Sequence, residues 1–265
     1  MDINLKNRKV VITGVSEGIG RSLALAFGEA GALVAGSARN RERLSAIESE
    51  ISGAGHFFYS ADFSKSDDIQ TFHNKAISAM GGVDILINNV GSIQKLAGVF
   101  DLSDEDWQEA FDVNLMSAVR TCRLFSSSLR QSDSARIINI TSVAASRPGD
   151  VFPHYSAVKA GLCNLTISLA RTLAKDKVLV NSISPGPVWS KSWDDEAKNI
   201  AEKSGNDLQG IVDEMQTSSA ETLLLKRMGV PDDVTGLVLF LASDLSGWIT
   251  ASNFTVDGGF AQNPY

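Results

Sequence analysis

The sequence predicts an α/β fold in which a doubly wound parallel sheet of about seven strands carries helices on both faces. Short apolar runs alternate with amphipathic helical stretches from one end of the chain to the other. Most of these runs are apolar throughout, as expected for parallel strands that are buried on both sides. No internal repeat or linker divides the chain, so we expect a single domain over residues 1–265.

The predicted elements follow from this alternation. Apolar, β-rich runs predict strands at residues 9–13, 33–37, 56–60, 85–88, 135–141, 179–184 and 253–256. Helical periodicity predicts helices at residues 18–30, 41–52, 66–80, 104–129, 155–174 and 231–242. The second and the last of these helices begin where polar residues or proline favour a first turn.

One segment, residues 189–228, interrupts the alternation. It follows a proline-rich turn, is acidic and polar, and shows helical periodicity only in places. Long excursions at the carboxyl ends of parallel strands are usually functional. We therefore predict a substrate lid at about residues 189–228, with a plain surface insertion as the alternative.

Composition and charge narrow the functional classes. The formal net charge of -7 disfavours nonspecific binding to nucleic acid or anionic membranes, which requires a basic face. No apolar run approaches the roughly 18 residues of a membrane span, and no export signal is recognisable at the N-terminus. Cys122 and Cys163 lack ligand-like spacing, and no CxxC or HExxH motif occurs. We expect a cytoplasmic protein with a small-molecule substrate and no metal, nucleic acid or membrane partner.

A glycine-rich turn follows the first predicted strand, with the sequence Thr-Gly-Val-Ser-Glu-Gly-Ile-Gly at residues 13–20. Gly14 lets the chain turn sharply, Gly18 lets the backbone approach a pyrophosphate, and Gly20 lets the helix pack closely on the sheet. The N-terminus of that helix offers N–H groups and partial positive charge to a phosphate. The spacing differs from G-x-G-x-x-G, and alone it is also compatible with a structural turn.

Four polar residues could supply the chemistry of carbonyl reduction, which needs a proton donor and a group that lowers the pKa of that donor. Tyr155 and Lys159 lie four residues apart on a predicted helix, so the ammonium can stabilise the phenolate. Ser142, at the end of a predicted strand, can hydrogen-bond the substrate oxygen. Asn114 lies inside a long predicted helix, where asparagine is a modest helix former. The alternatives are that Tyr155 and Lys159 form an ordinary surface pair and that Asn114 is simply solvated. His154, next to Tyr155, is expected to face a different way on the helix, with a substrate contact as the alternative.

This order of motifs resembles the short-chain dehydrogenase/reductase family over essentially the whole chain. TGxxxGIG follows the first strand, Asp62 and Phe63 follow the third, Asn88-Asn89-Val90-Gly91 follows the fourth, and Pro185-Gly186 follows the sixth. The resemblance implies a Rossmann-like fold and an NAD(P)-dependent enzyme acting on CH–OH donors. It also implies that Asn114, at a local helix irregularity, holds a water that links to Lys159.

The resemblance further implies which residues bind the cofactor. Asp62 is expected to face the adenine, the stretch from Asn89 to Gly91 to run beside the adenine ribose, and the turn from Pro185 to Ser190 to meet the nicotinamide carboxamide. The full expected set is Gly14, Ser16, Glu17, Gly18, Ile19, Gly20, Ser37, Arg39, Asp62, Phe63, Asn89, Val90, Gly91, Tyr155, Lys159, Pro185, Gly186, Val188 and Ser190. The family usually has Ala at position 90 and often Thr at 190, and Ser190 keeps the hydroxyl.

The end of the second strand bears on the choice between NADP and NAD. An acid there would bind the ribose hydroxyls of NAD, but the chain has Ala38 followed by Arg39. Arg39 can bind a phosphate through charge-assisted hydrogen bonds, with Ser37 as a nearby donor. Glu17 opposes this, because NADP-preferring relatives commonly place a base at that position. We expect NADP(H), with NAD(H) as the alternative. For Arg39 itself, the alternative is a solvated surface charge in the run Arg39, Arg41 and Arg43.

Three functions remain open from the sequence. The first is an NADP(H)-dependent oxidoreductase of a 3-oxoacyl thioester, ketone or sugar, and the second is an NAD-dependent alcohol or diol dehydrogenase. The third is a non-catalytic cofactor-sensing regulator, which would not need the Ser142, Tyr155 and Lys159 set. The resemblance also implies a homotetramer, with a dimer as the alternative.

Overall fold

The computed structural model describes residues 3–262 and contains seven strands in one sheet. The strands are β1 (Lys9–Thr13), β2 (Leu33–Ala38), β3 (Phe57–Ser60), β4 (Ile85–Asn88), β5 (Arg136–Ile140), β6 (Leu179–Pro185) and β7 (Asn253–Val256). All neighbouring strands are parallel. The predicted α/β class with a doubly wound parallel sheet is confirmed.

The strand order β3-β2-β1-β4-β5-β6-β7 places the first strand in the middle of the sheet. β1 pairs with β2 on one side and with β4 on the other, so the chain leaves these strands in opposite directions. A crevice therefore opens at the carboxyl ends of β1 and β4, where ligands of such sheets bind.

Nine α-helices flank the sheet in the described part of the chain. They are α1 (Gly18–Glu29), α2 (Arg41–Glu50), α3 (Ser66–Met80), α4 (Asp104–Phe111), α5 (Ser117–Leu129), α6 (Pro153–Leu173), α7 (Lys191–Ser204), α8 (Leu208–Glu221) and α9 (Pro231–Ala242). One apolar core packs α1, α2 and α9 on one face of the sheet, around buried residues such as Phe27 and Val238. The other packs α3, α5 and α6 on the opposite face, around Phe72 and Phe125.

The structure corrects one predicted element. The helix predicted at residues 104–129 is interrupted by a π-helical segment, Asp112–Met116, which separates α4 from α5. The segment predicted to be helical in places contains two helices, α7 and α8. Among the other elements, β1, β4, β7, α3 and α9 have the predicted bounds, and the rest differ slightly at their ends. For example, α6 begins at Pro153, because proline fits the first helical turn without losing a backbone hydrogen bond.

None of the helices between residues 3 and 262 is both long enough and apolar enough to cross a bilayer.

Candidate active site

The glycine-rich turn is held closely against the loop after β4. Gly14 has a φ of 75° and Gly18 a φ of 56°, which lie in the left-handed region that glycine adopts without strain. A Cβ at Gly20 would lie 2.0 Å from the carbonyl oxygen of Gly14. The Asn89 amide donates to the carbonyl oxygens of Thr13 at 3.0 Å and Gly14 at 2.9 Å. The two loops at the switch point therefore form one rigid unit.

This turn fits a dinucleotide. The Glu17 side chain makes no capping hydrogen bond to α1, so that the first N–H groups of the helix remain free to bind a pyrophosphate. The missing side chain at Gly18 leaves room for phosphate oxygens, whereas at Gly20 it lets α1 pack against Gly14. Ser190, at the start of the predicted lid, lies opposite: its Cβ is 3.7 Å from a Cβ placed on Gly18.

Charged side chains lie around the end of β2, where the resemblance predicts the adenosine of the cofactor. We call Glu17, Arg39, Arg43 and Asp62 the adenosine edge. Arg39 is exposed, whereas Arg43 in the first turn of α2 forms an ion pair with Glu17. Burial acts to raise the pKa of Asp62, but hydrogen bonds from Ser64 and the charges of Lys65 and Arg39 together lower it. Arg39 therefore lies close enough to Asp62 for its charge to act on that carboxylate, and Arg43 connects Glu17 to the helix that follows β2.

Two residues expected at this edge are turned into the protein. The Ser37 hydroxyl is buried and donates to the carbonyl oxygen of Tyr59 at 2.8 Å, so it does not reach the charged edge as the sequence suggested. Its backbone carbonyl instead accepts from Gly14 N at 2.7 Å and supports the turn. The Phe63 ring is also buried and packs on Phe72 at 5.7 Å, which leaves only its backbone for a ligand.

Tyr155 and Lys159 lie one turn apart on α6, as the spacing predicts. The Lys159 Nζ is 5.6 Å from the centroid of the Tyr155 ring and donates to the carbonyl oxygen of Ile140 at 3.0 Å. Burial lowers the pKa of Lys159 to about 8, against the opposing effect of Cys163. The pKa of the Tyr155 phenol is raised above its usual value by burial, which a hydrogen bond with the Ser142 hydroxyl only partly offsets. Ser142, Tyr155 and Lys159 are thus brought together at the carboxyl end of β5.

Asn114 lies in the π-helical segment and is fully buried. Its Oδ1 accepts from Ser92 N at 3.0 Å, and its Nδ2 donates to Ser92 O at 3.1 Å and Ala110 O at 3.0 Å. A Cβ at Gly91 would lie 2.6 Å from Lys159 Nζ and 2.9 Å from Asn114 Oδ1. The loop after β4, the π-helical segment and α6 therefore meet at Gly91. The role of Asn114 in holding a water stays a prediction.

The turn after β6 joins the site to the predicted lid. Gly186 N donates to Val256 O at 2.9 Å, and Val188 pairs with Gly229. The rings of Trp189 and Trp193 stack with centroids 5.7 Å apart. These aromatic rings lie at the start of the segment predicted to be a substrate lid.

His154 does not lie in the site. Its ring is fully buried, packs edge-on against Trp107 with centroids 6.1 Å apart, and finds no hydrogen-bond partner among the described residues. Burial lowers the pKa of His154 and favours the neutral imidazole. The alternative of a substrate contact is therefore wrong for this residue. Across residues 3–262, no group of three or more His, Cys, Asp or Glu side chains could hold a metal.

Comparison with known proteins agrees with this geometry. The chain is 34% identical over 264 residues to the uncharacterised oxidoreductase YvrD of Bacillus subtilis, covering 99% of this chain and 100% of the relative. It is 31% identical over 258 residues to the 3-oxoacyl-(acyl-carrier-protein) reductase FabG of Staphylococcus epidermidis, covering 96% and 98%. Among solved structures, L-sorbose reductase from Gluconobacter frateurii, complexed with NADPH and L-sorbose, gives a TM-score of 0.91 at 29% identity, covering 99% of this chain and 100% of that one.

A family model described as enoyl-(acyl carrier protein) reductase matches residues 14–261, nearly the whole chain. The chain therefore belongs to the short-chain dehydrogenase/reductase family and is an NAD(P)-dependent oxidoreductase.

Proposed function

We propose that the chain is an NADP(H)-dependent oxidoreductase that reversibly transfers a hydride between the cofactor and a carbonyl or secondary alcohol. The observation that carries this proposal is the grouping of Ser142, Tyr155 and Lys159 beside a turn that fits a dinucleotide. A cofactor-sensing regulator would not need a proton donor with a buried ammonium one helical turn away. The grouping therefore favours catalysis.

The side chains divide the acid-base work of the reaction. The nicotinamide cofactor, when bound, supplies or accepts the hydride. The Ser142 hydroxyl donates a hydrogen bond to the substrate oxygen and orients it toward Tyr155. The Tyr155 phenol donates the proton, the Lys159 ammonium stabilises the resulting phenolate, and Asn114 holds the water that returns a proton to the site. In the oxidation direction, the Tyr155 phenolate accepts the proton instead.

The preference for NADP(H) is supported by charge. Ala38 stands where an acid would bind the ribose hydroxyls of NAD, and the exposed guanidinium of Arg39 follows it. The similar L-sorbose reductase is described in complex with NADPH. These two observations favour NADP(H) over NAD(H), the cofactor of the alternative alcohol or diol dehydrogenase.

The proposed substrate is a 3-oxoacyl thioester, a ketone or a sugar. The names of two relatives, a 3-oxoacyl-(acyl-carrier-protein) reductase and L-sorbose reductase, support the first and the last of these classes. We propose that residues 189–228, which contain α7 and α8, act as the lid that selects among them. Trp189 and Trp193 offer stacked aromatic faces at its entry.

The proposed assembly is a homotetramer, with a dimer as the alternative. Large apolar side chains are exposed near α4, on α6 and after α9, where such an assembly would cover them. They are Phe111 at 39%, Ile167 at 40% and Trp248 at 99% exposure.

The experiment that tests the proposed function is a cofactor-oxidation screen of the purified chain. NADPH and NADH are each supplied with ketones, sugars, acyl thioesters and steroids. We expect turnover with at least one carbonyl class and a kcat/KM about tenfold or more higher with NADPH than with NADH. A preference for NADH would favour the alcohol or diol dehydrogenase. Tight cofactor binding without turnover on the whole panel would favour the regulator.

A further inference from the structure

The adenosine edge contains a carboxylate in an unexpected place. Glu17 immediately precedes α1, at the turn where a positive charge would help to bind the phosphate of NADP. Considered by itself, this carboxylate would repel a phosphate bound to the adenine ribose. The structure gives Glu17 a partner, because the Arg43 guanidinium donates to its carboxylate.

The position of Arg43 is set by the helix to which it belongs. Asn40 is the N-cap of α2, and its Oδ1 accepts from Arg43 N at 2.9 Å. This bond fixes the first turn of α2 beside the end of β2. The Arg43 side chain then extends to Glu17, so that a residue of α2 reaches the glycine-rich turn.

The pair is only partly exposed, with 37% of the Arg43 side chain and 43% of the Glu17 side chain accessible. Exposed ion pairs contribute little to folding, so its main consequence is geometric. A guanidinium has five N–H donors in a planar fork, and its bond to Glu17 leaves further donors for a phosphate. Glu17 thus directs a cation to the turn instead of leaving a bare anion there.

Two carboxylates, those of Asp195 and Asp62, also have cationic partners. Lys191 lies 2.6 Å from Asp195 on α7, and Lys65 lies 3.9 Å from Asp62. Hydrogen bonding to Lys191 lowers the pKa of Asp195 most, and the charges of Lys191, Lys198 and Arg43 lower it further. Arg39 forms no ion pair with any residue between 3 and 262. Arg39 therefore remains available at this edge to bind an anionic group.

We propose that Arg43 contacts the 2′-phosphate of NADP(H) together with Arg39, and that Glu17 is a positioning residue that holds Arg43 there. This inference rests on the proposed preference for NADP(H). It predicts that Glu17 strengthens phosphate binding, whereas simple repulsion would weaken it. Glu17 supports binding of the phosphate through Arg43, and it would hinder binding only if Arg43 were absent.

Positioning and simple repulsion by Glu17 predict opposite changes in NADPH affinity. The test therefore measures the Kd values of NADPH and NADH by quenching of intrinsic fluorescence. We expect Arg43→Gln to weaken NADPH binding about tenfold and leave NADH binding within about twofold, because only NADPH carries the 2′-phosphate. Glu17→Gln should weaken NADPH binding about threefold, since Arg43 is released. In the Arg43→Gln background, the same Glu17→Gln change should leave NADPH binding unchanged or tighten it.

Arg41→Gln is the matched control, because Arg41 is an exposed arginine in the same first turn of α2. It should change the Kd of NADPH by less than about twofold. Retained NADH binding in every variant reports that the turn is still folded. Tighter NADPH binding in Glu17→Gln alone, or equal effects of the Arg43 and Arg41 substitutions, would overturn the inference.

The same titrations separate this inference from the proposed function. A wild-type chain that binds NADH more tightly than NADPH would overturn both. A wild-type preference for NADPH that is lost in Arg39→Gln, but kept in Arg43→Gln and Glu17→Gln, would leave the proposed cofactor standing. It would overturn only the role of the Glu17 and Arg43 pair.

Discussion

The catalytic end and the adenosine edge of the proposed cofactor site are built in different ways. Lys159 and Asn114 at the catalytic end are 2% and 0% exposed, and three separate elements hold them. Glu17 and Arg43 at the adenosine edge are 43% and 37% exposed in their side chains, and they lie on one loop and one first helical turn. The first region buries its polar groups, whereas the second presents them to solvent.

This difference determines what each region can control. Burial strengthens electrostatic interactions and shifts pKa values, as it does for Lys159. Solvent weakens the interactions of exposed charges. The effect of such charges on ligand binding therefore depends on how many there are, on where they point and on the salt concentration. We therefore expect substitutions at the catalytic end to change chemistry, and substitutions at the adenosine edge to change the affinity for one cofactor over the other.

The largest expected effect is at Tyr155. We expect Tyr155→Phe to lower kcat by about 10³-fold, because the substrate oxygen loses its proton donor. The Kd values of NADPH and NADH should remain within about threefold of the wild type, since the ring is retained. Steady-state kinetics on a substrate from the screen, together with fluorescence titration, measure both quantities.

Tyr59→Phe is a matched control for that change, because Tyr59 lies on β3 and contributes only its carbonyl oxygen to the support of the turn. Its kcat should stay near that of the wild type. Turnover by Tyr155→Phe close to the wild-type rate would contradict the division between the two regions.

A smaller effect is expected from the burial of Lys159. Burial lowers the pKa of Lys159 from 10.5 to about 8, so the unfolded chain binds more protons than the folded chain between these values. The buried ammonium therefore destabilises the fold below about pH 8, and this cost disappears as the pH rises toward 10.5. We expect Lys159→Met to be more stable than the wild type near neutral pH by up to about 3 kcal/mol.

That difference should shrink as the pH is raised from about 8 to about 10.5, as measured by denaturant unfolding of the cofactor-free protein. The same substitution at the exposed Lys175 serves as the control and should give a difference that does not change with pH. A constant difference for Lys159→Met across this range would show that the ammonium is not desolvated.

The two regions also differ in how far the sequence predicted them. The α/β class and the family were predicted from local signals, because strand and helix periodicity and the glycine spacing lie within short windows. The spacing of Tyr155 and Lys159 places both on one helical face for the same reason. The interruption around Asn114 was only implied by the resemblance. Asn114 hydrogen-bonds there to Ser92, which is distant in the sequence, and no local pattern shows such a contact.

The charge arrangement at the adenosine edge was not predicted. Arg43 was considered only as one of several neighbouring charges, and Glu17 was expected to contact the cofactor but to oppose the phosphate of NADP. Which carboxylate a long arginine side chain reaches depends on how α2 packs beside α1, and a sequence pattern does not specify this. Ser37 was misplaced for a similar reason, because strand alternation does not show that its hydroxyl turns to Tyr59.

The smallest expected effect tests whether the adenosine edge depends on the first turn of α2. Asn40→Ala removes the N-cap of α2 and should lower the free energy of unfolding by about 1 kcal/mol. Because the cap also fixes Arg43, we expect NADPH binding to weaken about twofold to threefold while NADH binding is unchanged.

Ser103→Ala removes a comparable cap from α4, where Ser103 accepts from Asp106 N at 3.3 Å, far from the charged pair in sequence. It should cost similar stability without altering the preference for NADPH. If both cap variants change that preference equally, the effect reflects general loosening of the fold. The preference for NADPH would then depend on the stability of the buried core as well as on the charges of the exposed edge.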